Sequence, residues 1–179
     1  MIIYTIGHST RSFPELLEAL APYGIEVVAD VRRFPGSRRL PQFAEPVLRA
    51  ELESQGLGYV WIPALGGRRR PVPESPNVGW RHTAFRGYAD HVMSEEFAEG
   101  LMELLMIAYG LRTVIMCAEV LWWRCHRRII ADVLVSLGID VLHIVDATHA
   151  TPHVLTDPGR LVGGQLRYDV ASSSEGGRR

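Results

Sequence analysis

Hydrophobic and polar positions alternate along the chain in blocks that predict strands and helices in turn. Short apolar runs, rich in β-branched and aromatic residues, cover 2–6, 25–31, 59–62, 113–117 and 139–144, and each has the length of a buried strand. Between these runs, apolar residues recur at the spacing of one helix face. The alternation predicts an α/β domain of three layers, with a mostly parallel open sheet of about five strands and helices on both faces.

Capping residues mark where some of the predicted helices begin. Ser12 and Glu15 have the spacing of a capping box ahead of an apolar helical stripe. Ser94 precedes a helical pattern over 95–109 and is a preferred N-cap residue. Farther on, the apolar residues of 161–168 are expected to add a last edge strand.

The stretch 112–144 combines these patterns with both cysteines of the chain. A buried-strand pattern ends at Cys117, a helical pattern follows Cys125, and a second apolar run closes the stretch. This order predicts a βαβ unit whose first loop leaves the carboxyl end of a strand. Ligands bind at that end of the strands in open α/β sheets.

Polar residues follow the other predicted strands at the same end. They are His8 after the first strand, Arg32 after the second, Gly66 and Gly67 after the third, and Cys117 with Glu119 at the end of the fourth. Because parallel strands end on one edge of a sheet, we expect these residues to converge. We expect Arg32 to bind an anion and Asp30 to hold backbone amides or an arginine.

The composition is that of an ordinary globular protein with one core, with 47% hydrophobic and 22% charged residues in 179. We expect one domain over 1–170 and a disordered, Ser/Gly-rich tail over 171–179. The sequence shows no secretory signal pattern and no apolar run long enough to span a bilayer. Since two cysteines do not make a disulfide scaffold, a reducing cytoplasm is the expected location, with no membrane partner.

All 19 basic residues are arginine, although the net charge is only −1. The absence of lysine excludes lysine Schiff-base chemistry and a P-loop lysine. Most of the arginines lie in predicted loops beside aromatic residues, which suits the phosphates and bases of a nucleotide or of single-stranded nucleic acid. The alternative is solvated loop charge with the aromatic residues in the core.

Seven short motifs occur in an order that resembles a known family. They are Gly-His-Ser-Thr at 7–10, Asp-Val-Arg at 30–32 with Pro35 and Ser37, Leu-Gly-Gly at 65–67, Phe85 with Tyr88 and Ala89, Cys-Ala-Glu at 117–119, Cys-His-Arg at 125–127 and Val-x-His-Ile at 141–144. From Gly7 to about Tyr168, the sequence resembles the family called domain of unknown function 488. Val-Leu-Trp-Trp at 120–123 departs from the small or acidic residues usual in that family. The resemblance implies a fold and a set of polar positions, and no established reaction.

Cys125, His126 and Arg127 stand at the predicted start of a helix. Unpaired backbone N–H groups, the helix dipole and neighbouring arginines lower a thiol pKa there, which favours a thiolate nucleophile or an anion site. The alternative is that Cys125 packs as a small buried hydrophobe. Glu119 is expected to act as a general acid or base, or to pair with Arg127. Cys117 is open to either core packing or a role in the site.

Three other uses of the cysteines compete with this hypothesis. A Cys-x5-Arg phosphatase loop would need an arginine at position 123, where Trp123 stands. A disulfide between Cys117 and Cys125 would be strained or transient in a reducing compartment. A zinc site would combine both cysteines with one or two of His8, His126 and His143. The spacing matches no strong zinc template, and the arginines around the predicted helix start are unfavourable neighbours for a cation, so we expect no resident metal.

The leading hypothesis is therefore an enzyme that acts on a phosphate-bearing substrate, either a nucleotide or a modified base in nucleic acid. The expected catalytic residues are Cys125, Glu119, Cys117 and His8. The expected substrate- and anion-binding residues are Arg32, Arg127, His126, Ser37, Gly66, Gly67 and Tyr88. The alternative is a non-catalytic nucleotide- or nucleic-acid-binding module, and the second alternative is a redox or metal site at the cysteines. The sequence leaves the cofactor and the oligomeric state open.

Overall fold

The computed structural model describes residues 1–36 and 39–169, and its elements follow the alternation seen in the sequence. The strands are β1 (Ile2–Gly7), β2 (Val27–Asp30), β3 (Gly58–Trp61), β4 (Thr113–Cys117), β5 (Asp140–Ile144), β6 (Ala150–Pro152), β7 (Arg160–Val162) and β8 (Gln165–Arg167). The α-helices are α1 (Phe13–Leu20), α2 (Glu45–Ser54), α3 (Thr83–His91), α4 (Glu95–Gly110) and α5 (Arg127–Ser136). Ser37 and the tail predicted over 171–179 lie outside the described residues.

A six-stranded sheet in the order β3-β2-β4-β1-β5-β6 forms the centre of the fold. Strand β1 pairs in parallel with β4 and β5, and β2 pairs in parallel with β3 and β4. Strand β6 runs antiparallel along β5 at one edge. The mostly parallel sheet is confirmed, and its five parallel strands are those predicted from the apolar runs. Their carboxyl ends share one edge, with β4 between β1 and β2.

The predicted edge strand over 161–168 is wrong, because this segment folds back on itself as a separate hairpin of β7 and β8. Gly163 and Gly164 have φ values of 58° and 80°, which glycine adopts without a steric penalty. Two consecutive residues with positive φ form the tight turn that best joins antiparallel strands. The glycine pair therefore determines the hairpin.

Helices cover both faces of the sheet and enclose two apolar cores. On one face, α3, α4 and α5 pack over residues that include Ile115 and Leu104. On the other face, α1 and α2 pack over a second set that includes Met116, Leu16 and Leu48. Neighbouring residues of β4 point to opposite cores, as the period of a strand requires. The three-layer α/β architecture is therefore as predicted.

A capping box marks the start of α1, whereas α5 begins without a side-chain cap. The Ser12 hydroxyl accepts from the backbone N–H of Glu15, whose carboxylate accepts from the backbone N–H of Ser12, so the predicted capping box is present. Helix α5 begins at Arg127, and Cys125 precedes it in extended backbone after a single 3-10 turn over Trp122–Arg124.

Across residues 1–36 and 39–169, no helix combines the length and the apolar character needed to cross a membrane.

Candidate functional site

A cleft of about 890 Å³ opens at the carboxyl ends of β1, β2 and β4. Its volume lies within the range of small-ligand sites. The expected site residues that line it are His8, Arg32, Tyr88, Cys117, Glu119, Cys125 and His126. The structure thus brings together polar residues that follow three different strands of the sheet.

Cys117, Cys125 and His126 meet at the floor of the cleft. Cys117 ends β4, and the loop that follows it returns Cys125 to its side. The Nδ1 atom of His126 lies 3.6 Å from Sγ of Cys125 and 4.0 Å from Sγ of Cys117. Both cysteines are free and buried, and Cys125 is only 5% exposed. Two sulfur atoms and one imidazole nitrogen therefore share a small volume that borders the cleft.

The ring of His126 is fixed by the backbone on its far side. Its Nε2 lies 3.0 Å from the carbonyl oxygen of Val31, and because a carbonyl only accepts, this nitrogen carries a proton. Nδ1 consequently faces the two sulfurs. Gly67 packs against the ring so closely that a Cβ would lie 2.8 Å from Nδ1. Gly67 is not among the residues that line the cleft, so its contribution is the space it leaves for His126.

The side chain of Arg127 lies behind Cys125 and is 1% exposed. Its Nε donates to Sγ of Cys125 at 3.4 Å, and its terminal nitrogens donate to the backbone carbonyl of Glu119 and to the hydroxyl of Thr5. This placement differs from the expected binding of an anion in the cleft. From the first residue of α5, the side chain reaches into the core as far as β1. The guanidinium therefore contacts the sulfur of Cys125 and is not part of the cleft lining.

The two thiols have opposite pKa shifts. Burial acts to raise the pKa of the Cys125 thiol, but the hydrogen bond from Cys117 and the contacts with His126 and Arg127 hold it well below its ordinary value. The hydrogen bond with Cys125, burial and the charge on Cys125 raise the pKa of the Cys117 thiol well above its ordinary value. The arrangement favours a Cys125 thiolate that accepts a hydrogen bond from a protonated Cys117.

Glu119 lies on the exposed wall of the cleft. Its carboxylate accepts from the backbone N–H of Leu121 at 3.3 Å, whereas Arg127 contacts only its backbone carbonyl, so the alternative of an ion pair with Arg127 is not realised. Gly7 approaches that carbonyl so closely that a Cβ would overlap it. The backbone of Glu119 is thus tightly held while its carboxylate borders the cleft.

Arg32 and Asp30 form a buried ion pair at the carboxyl end of β2. The Nε of Arg32 lies 2.9 Å from both carboxylate oxygens, and one terminal nitrogen lies 2.5 Å from Oδ2. Asp30 also accepts from the backbone N–H of Arg32 at 3.0 Å and from the hydroxyl of Tyr59 at 2.7 Å. The expectation that Asp30 holds a backbone amide and an arginine is confirmed. The ion pair fixes Arg32 at the border of the cleft.

His8 lies between Arg32 and the ring of Phe43. Its ring stacks on Phe43 with centroids 4.0 Å apart, and its Nδ1 lies 2.9 Å from the carbonyl of Ser9. Its Nε2 lies 3.4 Å from a terminal nitrogen of Arg32. Burial lowers the pKa of His8 to about 4, so the ring is neutral at pH 7. With the proton on Nδ1, the Nε2 lone pair faces Arg32.

Tyr88 and Gly66 shape the region around His126 from a third side. The hydroxyl of Tyr88 donates to the carbonyl of Leu65 at 2.6 Å, and its ring centroid lies 5.1 Å from that of His126. Gly66 packs against Arg33, where a Cβ would lie 2.8 Å from Cα. Tyr88 therefore borders the cleft, whereas Gly66 supports the loop beside it.

Arginine and aromatic residues outside the expected set also line the cleft. They are Phe34, Arg68, His82, Phe85 and Arg124. Phe34 is 63% exposed, and the guanidinium carbons of Arg33 and Arg68 lie 5.8 and 5.9 Å from its ring centroid. The clustering of arginine with aromatic residues in the loop sequences is the signal that points to this rim.

Sequence reasoning missed a buried polar chain that extends from Arg127 into the core. Thr5, His143, His153 and Asp132 are joined by side-chain hydrogen bonds of 2.7 to 2.9 Å. The available signal was a polar residue within an apolar pattern: Thr5 and His143 in predicted strands, and Asp132 in the helical stripe. Of these residues, the sequence singles out only His143, as a possible zinc ligand and as part of the Val-x-His-Ile motif.

The cleft floor contains the kinds of ligand that zinc prefers. The ligand atoms of Cys117, Cys125 and His126 lie within 4.8 Å of one another, and two thiolates with one imidazole form a known partial zinc ligand set. However, Arg127 already donates to the Cys125 sulfur, and a fixed cation there disfavours a second one. That no metal resides at this site stays a prediction.

Comparison with models of known protein families matches most of the chain. The family model described as "Domain of unknown function DUF488" matches residues 12–134, a span that contains Arg32, Glu119, both cysteines and Arg127. No curated protein and no solved structure matches the chain.

Proposed function

The chain belongs to the family described as domain of unknown function DUF488, and we propose that it is an enzyme whose Cys125 thiolate attacks a phosphate-bearing substrate in the cleft. The substrate is a nucleotide or a modified base in nucleic acid. One observation carries the proposal: Arg127 and His126 both contact a sulfur at the floor of an arginine-lined cleft. A cysteine that served only as a small core residue would gain nothing from a buried guanidinium donor.

The sulfur of Cys125 acts as the nucleophile in this proposal. A thiolate that forms at neutral pH is a far better nucleophile than a thiol. In the first step, its electron pair forms a bond to an electrophilic atom of the substrate, and the leaving group departs with the electrons of the broken bond. The leaving group takes the proton that it requires from a solvent water molecule in the open cleft.

Water releases the product in the second step. The Glu119 carboxylate accepts a proton from a second water molecule, whose oxygen attacks the substrate atom bound to sulfur, and the carboxyl group then returns this proton to solvent. The bond to sulfur breaks and the Cys125 thiolate is restored. Hydrogen bonds from Cys117 and Arg127 stabilise that thiolate as the leaving group.

The walls of the cleft supply the binding of the substrate. Arg68 and Arg124 bring positive charge to the lining, and Arg32 borders it in its ion pair with Asp30. Among the described residues that line the cleft, Glu119 has the one carboxylate. Guanidinium groups bind phosphate through paired N–H donors. The exposed ring of Phe34 offers a stacking surface for a base. Because Cys125 and Cys117 must both stay reduced, we place this activity in the cytoplasm.

A turnover assay tests the proposal. Purified protein is incubated with a pool of nucleotides and single-stranded oligonucleotides that carry modified bases, and consumed species are identified by mass spectrometry. The wild type should consume a member of the pool, Cys125→Ser should bind it without turnover, and Glu119→Gln should accumulate a mass adduct on Cys125. Glu99→Gln, an exposed change on α4 outside the cleft lining, should behave as wild type.

Two results would overturn the proposal. Equal turnover by Cys125→Ser would show that the sulfur is not the nucleophile. Binding of an anionic species by the wild type without turnover of any pool member would indicate a non-catalytic binding module, since the same arginines and aromatic rings serve binding alone.

A further inference from the structure

A continuous chain of buried polar side chains connects the cysteine site to the far end of the core. Arg127 donates to the hydroxyl of Thr5 at 3.4 Å, and this hydroxyl lies 2.7 Å from Nδ1 of His143. Nε2 of His143 lies 2.9 Å from Nδ1 of His153, and Nε2 of His153 lies 2.8 Å from a carboxylate oxygen of Asp132. All five residues are buried.

The far end of the chain is a fully buried carboxylate. Asp132 is 0% exposed and, besides His153, accepts from the backbone N–H and the hydroxyl of Thr156 and from the hydroxyl of Tyr168. Each of these four partners has a proton to donate to one of the two carboxylate oxygens, so the geometry suits a carboxylate that only accepts. Asp132 is therefore the negative counterpart of the buried Arg127.

One set of proton positions gives every link of the chain a donor and an acceptor. Burial is the largest of the causes that lower the pKa of His143 to about 3, so this ring is neutral at pH 7. His153 donates to Asp132, His143 donates to His153, Thr5 donates to His143, and Arg127 donates to Thr5. Every hydrogen bond thus points from the guanidinium towards the carboxylate.

This chain cannot carry a proton to or from Cys125. Its terminal member is an arginine, which keeps its proton in proteins. What the chain can do is hold the guanidinium in one orientation and compensate its charge. The ring of Trp122 stacks flat on His143, with centroids 4.1 Å apart and 8° between the planes, which restricts the central link further.

We propose that Thr5, His143, His153 and Asp132 are positioning residues that orient Arg127 on the sulfur of Cys125 and so set the reactivity of that cysteine. The inference rests on the proposed role of Cys125 as the reactive group. A well-packed apolar core would fold at least as stably as a buried ionic network in many proteins. The chain of hydrogen bonds ends on Arg127, and Arg127 donates to the sulfur of Cys125. This direct connection is the reason to assign the chain a role in the reactivity of the cysteine.

Thr5→Val tests the proposal, because valine keeps the shape of threonine and removes the hydroxyl between Arg127 and His143. The readout is the rate of Cys125 alkylation by iodoacetamide across a pH series, with peptide mapping to separate Cys125 from Cys117. We expect the rate at pH 6.5 to fall roughly tenfold, equivalent to a rise of about one unit in the thiol midpoint, and Thr5→Ser to restore it.

Thr113→Val is the matched control. Thr113 is a fully buried threonine in the neighbouring strand β4, and its hydroxyl donates to the carbonyl of Leu111 rather than to the chain. If Thr5→Val slows alkylation no more than Thr113→Val does, in samples that are folded to the same extent by circular dichroism, the positioning role is excluded. Asp132→Asn provides a second test where Thr5→Val fails to fold, and an unchanged alkylation profile in that variant likewise excludes it.

Failure of this inference is distinguishable from failure of the proposed function. If Cys125 is alkylated below pH 8 in the wild type and Thr5→Val does not change the rate, only the positioning role is excluded. If the wild type shows no turnover, but its Cys125 is reactive and Thr5→Val slows the alkylation of this cysteine, only the enzymatic proposal is excluded.

Discussion

The Nε of Arg127 donates a hydrogen bond to Sγ of Cys125 over 3.4 Å, although the two side chains are only 1% and 5% exposed. The contact joins the first residue of α5 to the residue that precedes its N-cap. Since a guanidinium stays protonated throughout the pH range in which proteins fold, this donor is permanent. It therefore favours the thiolate at every pH at which Cys125 is to react.

The first prediction concerns the titration of Cys125. Cys117, His126 and Arg127 hold its pKa well below the ordinary value against the effect of burial, so the thiolate persists as the pH falls. Iodoacetamide should therefore alkylate Cys125 in the folded protein with a midpoint well below the value of about 8.5 for a free thiol. The measurement is alkylation rate against pH, followed by peptide mass spectrometry.

The denatured protein is the internal control for that titration. In denaturant both cysteines lose their partners and should react with ordinary thiol midpoints. If Cys125 of the folded protein is alkylated only above about pH 8, the activated thiolate does not exist.

The elements and the edge that holds the site were predictable from the sequence. Apolar runs fixed the five parallel strands, and polar residues at their ends, such as His8, Arg32 and Cys117, marked the edge where the cleft lies. The role of Arg127 was not predictable in the same way. Its position near a helix start says nothing about whether the side chain turns towards solvent or back towards β1.

The second prediction concerns Arg32. Arg32→Ala should weaken binding of a nucleotide that the wild type binds by about 1.5–3 kcal/mol, the scale of a charged hydrogen bond, measured by calorimetry. Lysine should restore only part, because it keeps the charge and loses the paired donors. The alanine variant also leaves Asp30, 0% exposed, without its cation, so we expect a loss of about 3–5 kcal/mol in unfolding free energy.

Arg49→Ala is the matched control for Arg32. Arg49 also forms an ion pair, with Glu45 on α2, but it is not among the residues that line the cleft. Nucleotide binding that is weakened equally by both changes, or by neither, would remove Arg32 from the binding site.

The third prediction concerns Gly67. In Gly67→Ala, the new Cβ would lie 2.8 Å from Nδ1 of His126, so the ring must move away from the sulfurs. We expect unfolding free energy to fall by about 1–3 kcal/mol, the usual cost of overpacking, and the alkylation midpoint of Cys125 to rise. In Gly110→Ala, a Cβ would meet nothing within 4 Å. This variant should change the unfolding free energy by no more than about 1 kcal/mol and should leave the alkylation midpoint of Cys125 unchanged. An unchanged alkylation profile in Gly67→Ala would mean that His126 does not activate the thiol.

The buried network was beyond the reach of the sequence for a topological reason. Thr5 and His143 are direct neighbours in the parallel pairing of β1 with β5, but they are 138 positions apart in the chain. Apolar periodicity predicts strands without fixing the order β3-β2-β4-β1-β5-β6. Without that order, an isolated threonine in one strand and a histidine in another carry no sign of contact.

The fourth prediction concerns metal content. Protein purified without chelator should contain well under one equivalent of zinc or iron by elemental analysis, because the guanidinium of Arg127 occupies the immediate surroundings of the Cys125 sulfur. Removing that charge should weaken the objection, so Arg127→Leu is expected to take up zinc more readily than the wild type. Near-stoichiometric metal in the wild type that is lost in Cys117→Ser would contradict the prediction and turn Cys125 from a nucleophile into a ligand.

The fifth prediction concerns stability in acid. Burial lowers the pKa of His8 to about 4 in the folded protein, whereas the unfolded chain binds the proton near pH 6.5. Between these values the unfolded state holds one more proton at this position, so the unfolding free energy falls as the pH drops, by about 3 kcal/mol over the whole window. Above pH 6.5 the ring is neutral in both states, and the folded protein keeps the full unfolding free energy that is lost at lower pH. Denaturant titrations from pH 7 to pH 4 should show this slope of unfolding free energy against pH. In His8→Asn the slope should be smaller by the amount that corresponds to one proton taken up on unfolding. If the variant keeps the wild-type slope, the ring of His8 is already protonated in the folded state, and its lone pair does not face Arg32.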